Sequence, residues 1–141
     1  MLGRQTGVST WVAETVVGRR RRGAAAGLAA YFDPVRAAGI DVIRSNAIAW
    51  VRNPPSRGEG GRGRATLGAV RIDDARAVAL RVSAQSGRRL TFEMRNRGGW
   101  APVAGPYVAP GWLNEARVVL RVAGGTAAFE GFTLGPVGPS G

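Results

Sequence analysis

Hydrophobic and polar residues alternate in several short segments of this chain, most clearly in its last third. In 78–82 and again in 90–94 every second residue is apolar, so each segment presents one apolar face and one polar face. Such alternation predicts antiparallel strands. Further strands are predicted at 8–17, 24–32, 40–43, 48–51, 67–72, 100–103, 118–122 and 127–134.

Turn residues separate the predicted strands. Gly98 and Gly99 suit a tight hairpin before Trp100, and 45–46 (Ser-Asn) is predicted as another turn. Phe129 and Phe132 are three residues apart, so the glycine at 131 predicts a bulge that returns the second ring to the core. Many short strands divided by Gly, Pro and Asp predict an all-β fold, an antiparallel β-sandwich of the jelly-roll type.

The length of 141 residues and the 45% hydrophobic composition predict one globular domain. We place this domain at 1–134, with a mobile Pro- and Gly-rich loop at 53–63 and a flexible tail at 135–141. Its predicted core consists of Trp11, Leu28, Ile43, Ile48, Leu67, Val78, Leu80, Val82, Leu90, Phe92, Val118, Leu120, Val122 and Phe129.

The absence of cysteine and histidine narrows the possible chemistry. Disulfides, thiolate nucleophiles and the commonest metal ligands are excluded, so an enzyme here would depend on carboxylates, hydroxyls and arginine. No cofactor is predicted. The N-terminus shows no secretory signal and no stretch is apolar enough to span a membrane, so the chain as written is expected in the cytoplasm and away from membranes.

The formal net charge of +11 comes with 20 basic residues that are all arginine. One dense cluster, formed by Arg19, Arg20, Arg21 and Arg22, precedes Gly23 and is predicted to lie in a turn at a sheet edge. Such a turn could bind phosphates or an acidic polysaccharide. A solvated hairpin tip is the favoured interpretation, and nucleic acid is disfavoured, because no aromatic residues interleave the cluster for base stacking.

Aromatic residues at turns and strand ends are the candidates for sugar contact, because an exposed ring can pack on the apolar face of a pyranose. The candidates are Trp50, Trp100, Tyr107 and Trp112. The nine acidic residues are scattered, and the side chains of the one adjacent pair, 73–74, would diverge on an extended segment, which favours a turn or a weak cation contact over catalysis.

Several short motifs, in this order, resemble a known domain. They are Leu2-Gly-Arg-Gln-Thr6, Ala13-Glu-Thr15, Ala26-Gly-Leu-Ala-Ala-Tyr31, Val78-Ala-Leu-Arg-Val82, Leu90 to Trp100 with Pro102, Arg117-Val-Val-Leu-Arg-Val122 and Ala127-Ala-Phe-Glu-Gly-Phe132. Together they resemble the concanavalin A-like jelly-roll domain at the C-terminus of family 43 glycoside hydrolases, which are β-xylosidases and α-L-arabinofuranosidases. Glu130 stands where that family usually has Asp, so a structural calcium ion is not supported.

The resemblance implies an accessory role, because the catalytic residues of that family lie in a separate five-bladed propeller. The chain is accordingly interpreted as a noncatalytic domain that packs on a glycoside-hydrolase catalytic domain, contacts glycan, or does both. A free-standing carbohydrate-binding or interaction protein of the same fold is the alternative, and an Arg-rich anion binder is the third hypothesis.

The family's domain normally opens with strands ahead of the segment matching 4–5. Their absence here predicts an open sheet edge, through which the chain would associate with itself or with a partner domain. A chain extended at its N-terminus is then expected to melt at a higher temperature.

Overall fold

The computed structural model describes residues 3–5, 10–20, 23–52, 64–72, 77–85, 88–96, 98–109 and 116–136. These residues form eleven strands and no helix that could span a membrane. The strands are β1 (Gly3–Gln5), β2 (Trp11–Arg20), β3 (Ala25–Tyr31), β4 (Ala37–Ile43), β5 (Asn46–Arg52), β6 (Arg64–Arg71), β7 (Val78–Gln85), β8 (Arg89–Arg95), β9 (Ala101–Val108), β10 (Arg117–Ala123) and β11 (Ala127–Pro136).

The strands form two sheets, one of six strands in the order β1-β10-β3-β4-β5-β6 and one of five in the order β11-β2-β7-β8-β9. All of these pairings are antiparallel. In each sheet, strands that follow one another in the chain are neighbours: β3 to β6 in the six-stranded sheet and β7 to β9 in the five-stranded sheet. The remaining strands come from the two ends of the chain, with β1 and β10 in the first sheet and β2 and β11 in the second. The predicted all-β antiparallel sandwich is confirmed.

The core lies between the sheets and is made by alternate residues of each strand. On β2 the buried side chains are Trp11, Ala13, Thr15 and Val17, as the alternation predicts. The largest fully buried side chains from the rest of the core are Phe92, Leu28, Ile40, Leu80 and Leu90. Residues with the opposite parity point to the two outer faces of the sandwich, which therefore carry the polar chemistry of the domain.

The predicted bulge near the end of the chain is confirmed. The register of β11 on β2 shifts between Glu130 and Phe132, and Gly131 has a φ of 71°. Phe129 and Phe132 are both half-buried and both pack against the core. The buried Thr15 hydroxyl donates a hydrogen bond to the Gly131 carbonyl, so the bulge also provides a partner for a polar group inside the sandwich.

Two hairpins show how local residues set the turns. Gly98 has a φ of 70° in the connection between β8 and β9, as predicted. The turn predicted at 45–46 lies one residue earlier: Ile43 pairs with Asn46, which leaves Arg44 and Ser45 as the two turn residues. Arg44 adopts a φ of 52°, a conformation for which glycine is the usual residue in such turns. Because the sequence has arginine there, no glycine marks the position of the turn.

The predicted core is wrong at four positions. Ile43 and Ile48 lie on the outer face of the six-stranded sheet, where they are half-buried, because Ile40 and Val42 take the inner positions of β4. Leu67 is 36% exposed because it is the extra residue of a bulge, with Gly68 opposite Ala49 and Thr66 opposite Trp50. The fourth position is Val122, which is 40% exposed.

Val122 lies near the end of β10, beyond the residues that pair with the described part of β1. The described part of β1 pairs only with Arg117, Val118 and Val119, so β10 continues beyond it towards Ala123. Within the described residues, this stretch is hydrogen-bonded to β3 on one side. Self-association through this edge, and a higher melting temperature for an extended chain, stay predictions.

The predicted flexible segments fall largely outside the described residues. This holds for the loop at 53–63 and for 137–141 of the tail. The tail prediction is wrong at its start, because β11 continues through Pro136 and pairs Gly135 with Val12.

Candidate functional site

The outer face of the five-stranded sheet carries an ion-paired cluster around Arg81. Glu14, Arg81 and Glu93 lie side by side on β2, β7 and β8. The Arg81 guanidinium donates to Glu93 through Nε at 3.0 Å and lies 3.5 Å from a Glu14 oxygen through Nη1. One arginine between two carboxylates on adjacent strands favours a fixed position for all three side chains.

Trp100 packs on this cluster. The Arg81 guanidinium carbon is 4.1 Å from the centroid of the Trp100 ring and that of Arg95 is 5.0 Å away, which are cation–π distances. The half-buried ring borders a shallow depression of about 140 Å³, with Glu14 and Glu130 also among its lining residues. The structure therefore leaves Trp100 partly accessible beside carboxylates and a guanidinium, and sugar contact there stays a prediction.

The other predicted sugar-contact residues are not brought to this depression. Tyr107 lies on β9 opposite Leu90, half-buried and packed against the core. Trp112 and the acidic pair at 73–74 lie outside the described residues. Trp50 was expected near a strand end with an exposed ring, and this is wrong: it lies inside β5 and is 1% exposed.

The predicted arginine cluster is only partly described. Arg19 and Arg20 continue β2 and do not belong to a turn, which corrects that part of the prediction, and Arg21 and Arg22 lie outside the described residues. Arg19 is exposed, while Arg20 donates to the Gly18 carbonyl at 3.1 Å. Anion binding by this cluster stays a prediction.

Two arginines cover Trp50 on the outer face of the six-stranded sheet. Their guanidinium carbons lie 4.6 Å (Arg64) and 4.7 Å (Arg121) from the Trp50 ring centroid. Neighbouring positions on this face are glycines: Gly39 pairs with Trp50, and Gly27 lies between Arg121 and Asp41. The absence of side chains there lets the indole and the Arg121 side chain lie flat across the sheet.

Asp41 holds these arginines in place. Its side chain is 2% exposed, and Oδ2 accepts a hydrogen bond from Arg64 at 3.3 Å and lies 3.5 Å from Arg121 Nη1. Its Oδ1 and the Trp50 Nε1 make no hydrogen bond, although the indole N–H lies near the carboxylate. Burial raises the pKa of Asp41, against the opposing charges of Arg121 and Arg64.

The pKa of Asp41 leads to a testable pH dependence. Because the folded pKa is raised, Asp41 adds most to the free energy of unfolding below its unfolded pKa of about 3.9, and this contribution is lost as the pH rises through the folded pKa. We therefore expect the melting temperature of the native chain, relative to Asp41→Asn, to rise as the pH falls from about 7 to about 4.

Asp33 provides a matched control of opposite sign. The backbone N–H of Val35 and the Arg36 side chain lower its pKa, and Arg36 Nε lies 2.6 Å from Oδ2. The contribution of Asp33 is present above its unfolded pKa and is lost as the pH falls through the lower folded pKa. The native chain should therefore lose stability relative to Asp33→Asn in acid. If the native chain also lost stability relative to Asp41→Asn as the pH falls, the charges of Arg64 and Arg121 would outweigh burial in setting the pKa of Asp41.

The arginines of the six-stranded sheet were missed in the sequence. Arg52, Arg64, Arg117 and Arg121 come from β5, β6 and β10, and only strand pairing brings them to one face. Alternation along the strand could have indicated one of these arginines, because Arg52 is two residues from Trp50 and therefore lies on the same face of the sheet. The order β10-β3-β4-β5-β6 could not be read from local alternation.

Metal binding finds no support in the described residues, where no group of three or more acidic side chains could hold an ion. Glu130, the position considered for calcium, is an exposed residue of β11.

Comparison with known proteins places the fold. No protein-family model matches the chain, and no curated protein is similar to it. Among solved structures, it superposes on a GH43 glycoside hydrolase whose active site was engineered for both endo-xylanase and exo-arabinofuranosidase activity. The TM-score is 0.69 and the sequence identity is 18%, over 96% of this chain and 30% of that chain.

Two further structures agree. GH43B of the Bacteroides ovatus xyloglucan PUL gives a TM-score of 0.67 at 15% identity, over 96% of this chain and 29% of that one. Xylan β-1,4-xylosidase from Bacillus halodurans C-125 gives a TM-score of 0.66 at 15% identity, over 91% of this chain and 28% of that one. The chain thus spans less than a third of these enzymes. Its fold is that of a β-sandwich found in family 43 glycoside hydrolases, as the sequence motifs predicted.

Proposed function

We propose that this chain is a noncatalytic β-sandwich domain of a glycoside-hydrolase system of the family 43 type, which packs on a catalytic domain, contacts glycan, or does both. The observation that carries the proposal is the unequal coverage in the structural comparisons. Nearly all of this chain matches the three enzymes, but only 28–30% of each enzyme is matched. This coverage supports the interpretation that the chain corresponds to one part of such an enzyme and has an accessory role.

The arrangement of carboxylates supports the absence of catalysis. Glycoside hydrolysis needs two carboxyl groups on either side of the scissile bond, about 5 to 10 Å apart. Glu14 and Glu93 share an outer face, but Arg81 occupies the space between them and binds both. A glycosidic bond could not lie between these two carboxylates without displacing the guanidinium.

The first test measures hydrolysis by the purified chain. We expect no turnover of aryl β-xylosides or aryl α-L-arabinofuranosides above the uncatalysed rate, because Arg81 occupies the space between Glu14 and Glu93. Release of the aryl group is followed by absorbance. Turnover that persists through purification and disappears in Glu14→Gln or Glu93→Gln would overturn the noncatalytic assignment.

A free-standing carbohydrate-binding protein is the second candidate, and the half-buried Trp100 beside a depression favours it. The ring borders a depression that also has Glu14, Arg95 and Glu130 in its lining, which supplies an apolar surface beside hydrogen-bonding groups. The reading frame upstream distinguishes the two candidates: one that encodes a propeller in the same direction favours the accessory role, and an unrelated neighbour favours the free-standing protein.

A further inference from the structure

A row of residues crosses five strands on the outer face of the six-stranded sheet. The strand registers place Arg117 opposite Tyr31, Tyr31 opposite Ala37, Ala37 opposite Arg52, and Arg52 opposite Arg64. We call these five residues the basic row. With neighbouring strands about 4.8 Å apart, the row extends over roughly 19 Å.

Positive charge dominates this face. Five arginines lie on it: Arg52, Arg64, Arg71, Arg117 and Arg121. Among the described residues, the carboxylate that lies between them is that of Asp41, which is close to both Arg64 and Arg121. Within the described residues, no carboxylate forms an ion pair with Arg52 or Arg117. Five guanidinium groups against one buried carboxylate give a potential that attracts anions.

Tyr31 gives the basic row an apolar component. The guanidinium carbon of Arg52 lies 5.4 Å from the Tyr31 ring centroid, and Arg52 Nη2 donates to the Pro34 carbonyl at 3.4 Å. These contacts orient the guanidinium before any ligand arrives. A cavity of about 480 Å³ opens beside Tyr31, with Arg121 also in its lining. Tyr31 thus contacts the Arg52 guanidinium and also lines an open space beside Arg121.

We propose that the basic row binds a polysaccharide that carries carboxylates, with Arg52 and Arg117 binding uronate groups and Tyr31 contacting a sugar ring. A guanidinium matches a carboxylate through two parallel hydrogen bonds. Sugar rings pack on aromatic faces. Nucleic acid fits less well, because stacking of successive bases needs several exposed rings, whereas Tyr31 is the one aromatic residue of the basic row and the nearby Trp50 is buried beneath two arginines. This assignment rests on the proposed function and specifies the glycan.

The test uses polygalacturonate and its fully methyl-esterified form, which share a backbone and differ in charge. Binding to the full chain is measured by calorimetry at an ionic strength of about 0.15 M, where diffuse attraction is largely screened. We expect binding to polygalacturonate and at least about tenfold weaker binding to the ester, because charge-assisted hydrogen bonds are lost.

Charge-matched variants locate the site. Arg52→Gln with Arg117→Gln should weaken polygalacturonate binding at least about tenfold. Arg44→Gln with Arg89→Gln removes the same charge from exposed positions outside the row and should change binding less than about twofold. Tyr31→Ala tests the ring, and thermal melting confirms that each variant is folded.

The outcomes separate this assignment from the accessory role. No binding to polygalacturonate, equal binding to the ester, or equal losses in the two double variants would overturn it. If a co-purifying catalytic domain occupied the row and excluded polygalacturonate, the face would be a protein interface, and the proposal would also be wrong. In each case a chain that hydrolyses nothing keeps the accessory function, so the two proposals fail separately.

Discussion

Replacing Gly27 with alanine should destabilise the sandwich severely. A methyl group at this position of β3 would overlap the carbonyl oxygen of Ile40 and lie 2.8 Å from the Cα of Asp41. Both atoms belong to the backbone of β4, so no side-chain rotation relieves the clash, and the two central strands must separate. We expect a loss of about 3 kcal/mol in the free energy of unfolding, at the upper end for overpacking.

Gly99→Ala is the matched control. A Cβ at Gly99 meets nothing within 4 Å, and the residue is exposed. Its variant should differ from the native chain by less than about 0.5 kcal/mol. Urea unfolding followed by tryptophan fluorescence measures both. Equal midpoints for Gly27→Ala and the native chain would show that β3 and β4 are farther apart than the structure places them.

The same glycine connects the fold to the outer face. Arg121 reaches Asp41 across Gly27, because these three residues are neighbours on β10, β3 and β4. A side chain at 27 would meet the backbone of β4 beside Asp41. The close packing of the central strands therefore depends on a missing Cβ at the position that lies between Arg121 and Asp41.

Local alternation was sufficient for strands that sit centrally in a sheet. The pattern of 78–82 predicted the inward residues of β7 correctly, and Val78, Leu80 and Val82 are all buried. The bulge at Gly131 was also predictable, because two aromatic rings with the wrong spacing and a glycine between them leave few alternatives.

Alternation failed where pairing was irregular or incomplete. Leu67 is displaced by a bulge that no local residue signals, and Val122 is 40% exposed although it pairs with the buried Ala26 of β3. For Ile48, both faces of 48–51 are apolar, so parity alone could not select the inner face. Ile43 shares its parity with Asp41, so the alternation with Ile40 and Val42 did indicate an outer position for it.

The candidate site was predicted less well than the fold for the same reason. Aromatic residues were selected individually, and Trp100 does remain accessible, but Trp50 is covered by Arg64 and Arg121 from strands distant in the sequence. The charge of +11 drew attention to the contiguous arginines at 19–22. The residues of the basic row are separated by up to 86 positions, as between Tyr31 and Arg117, and are adjacent only in the sheet.

Leu80→Ala and Leu67→Ala should differ widely in their effect, although the alternation pattern placed both residues in the core. Leu80 is 0% exposed, pairs with Thr15 and Met94 on its two neighbouring strands, and belongs to the main core cluster. Truncating a leucine in such a position removes its transfer free energy and leaves a cavity, so we expect a loss of about 3 to 4 kcal/mol.

Leu67→Ala removes the same atoms from a residue that is 36% exposed, so it should cost less than about 1 kcal/mol. Urea unfolding of the two variants, with the native chain as reference, measures the difference. Because the substitution is chemically identical, the comparison isolates burial. If Leu67→Ala were as costly as Leu80→Ala, Leu67 would point inward, and the bulge between Gly68 and Thr66 that excludes it from the core would be wrong. A large difference means that the bulge, which local alternation does not reveal, determines which residues of β6 reach the core.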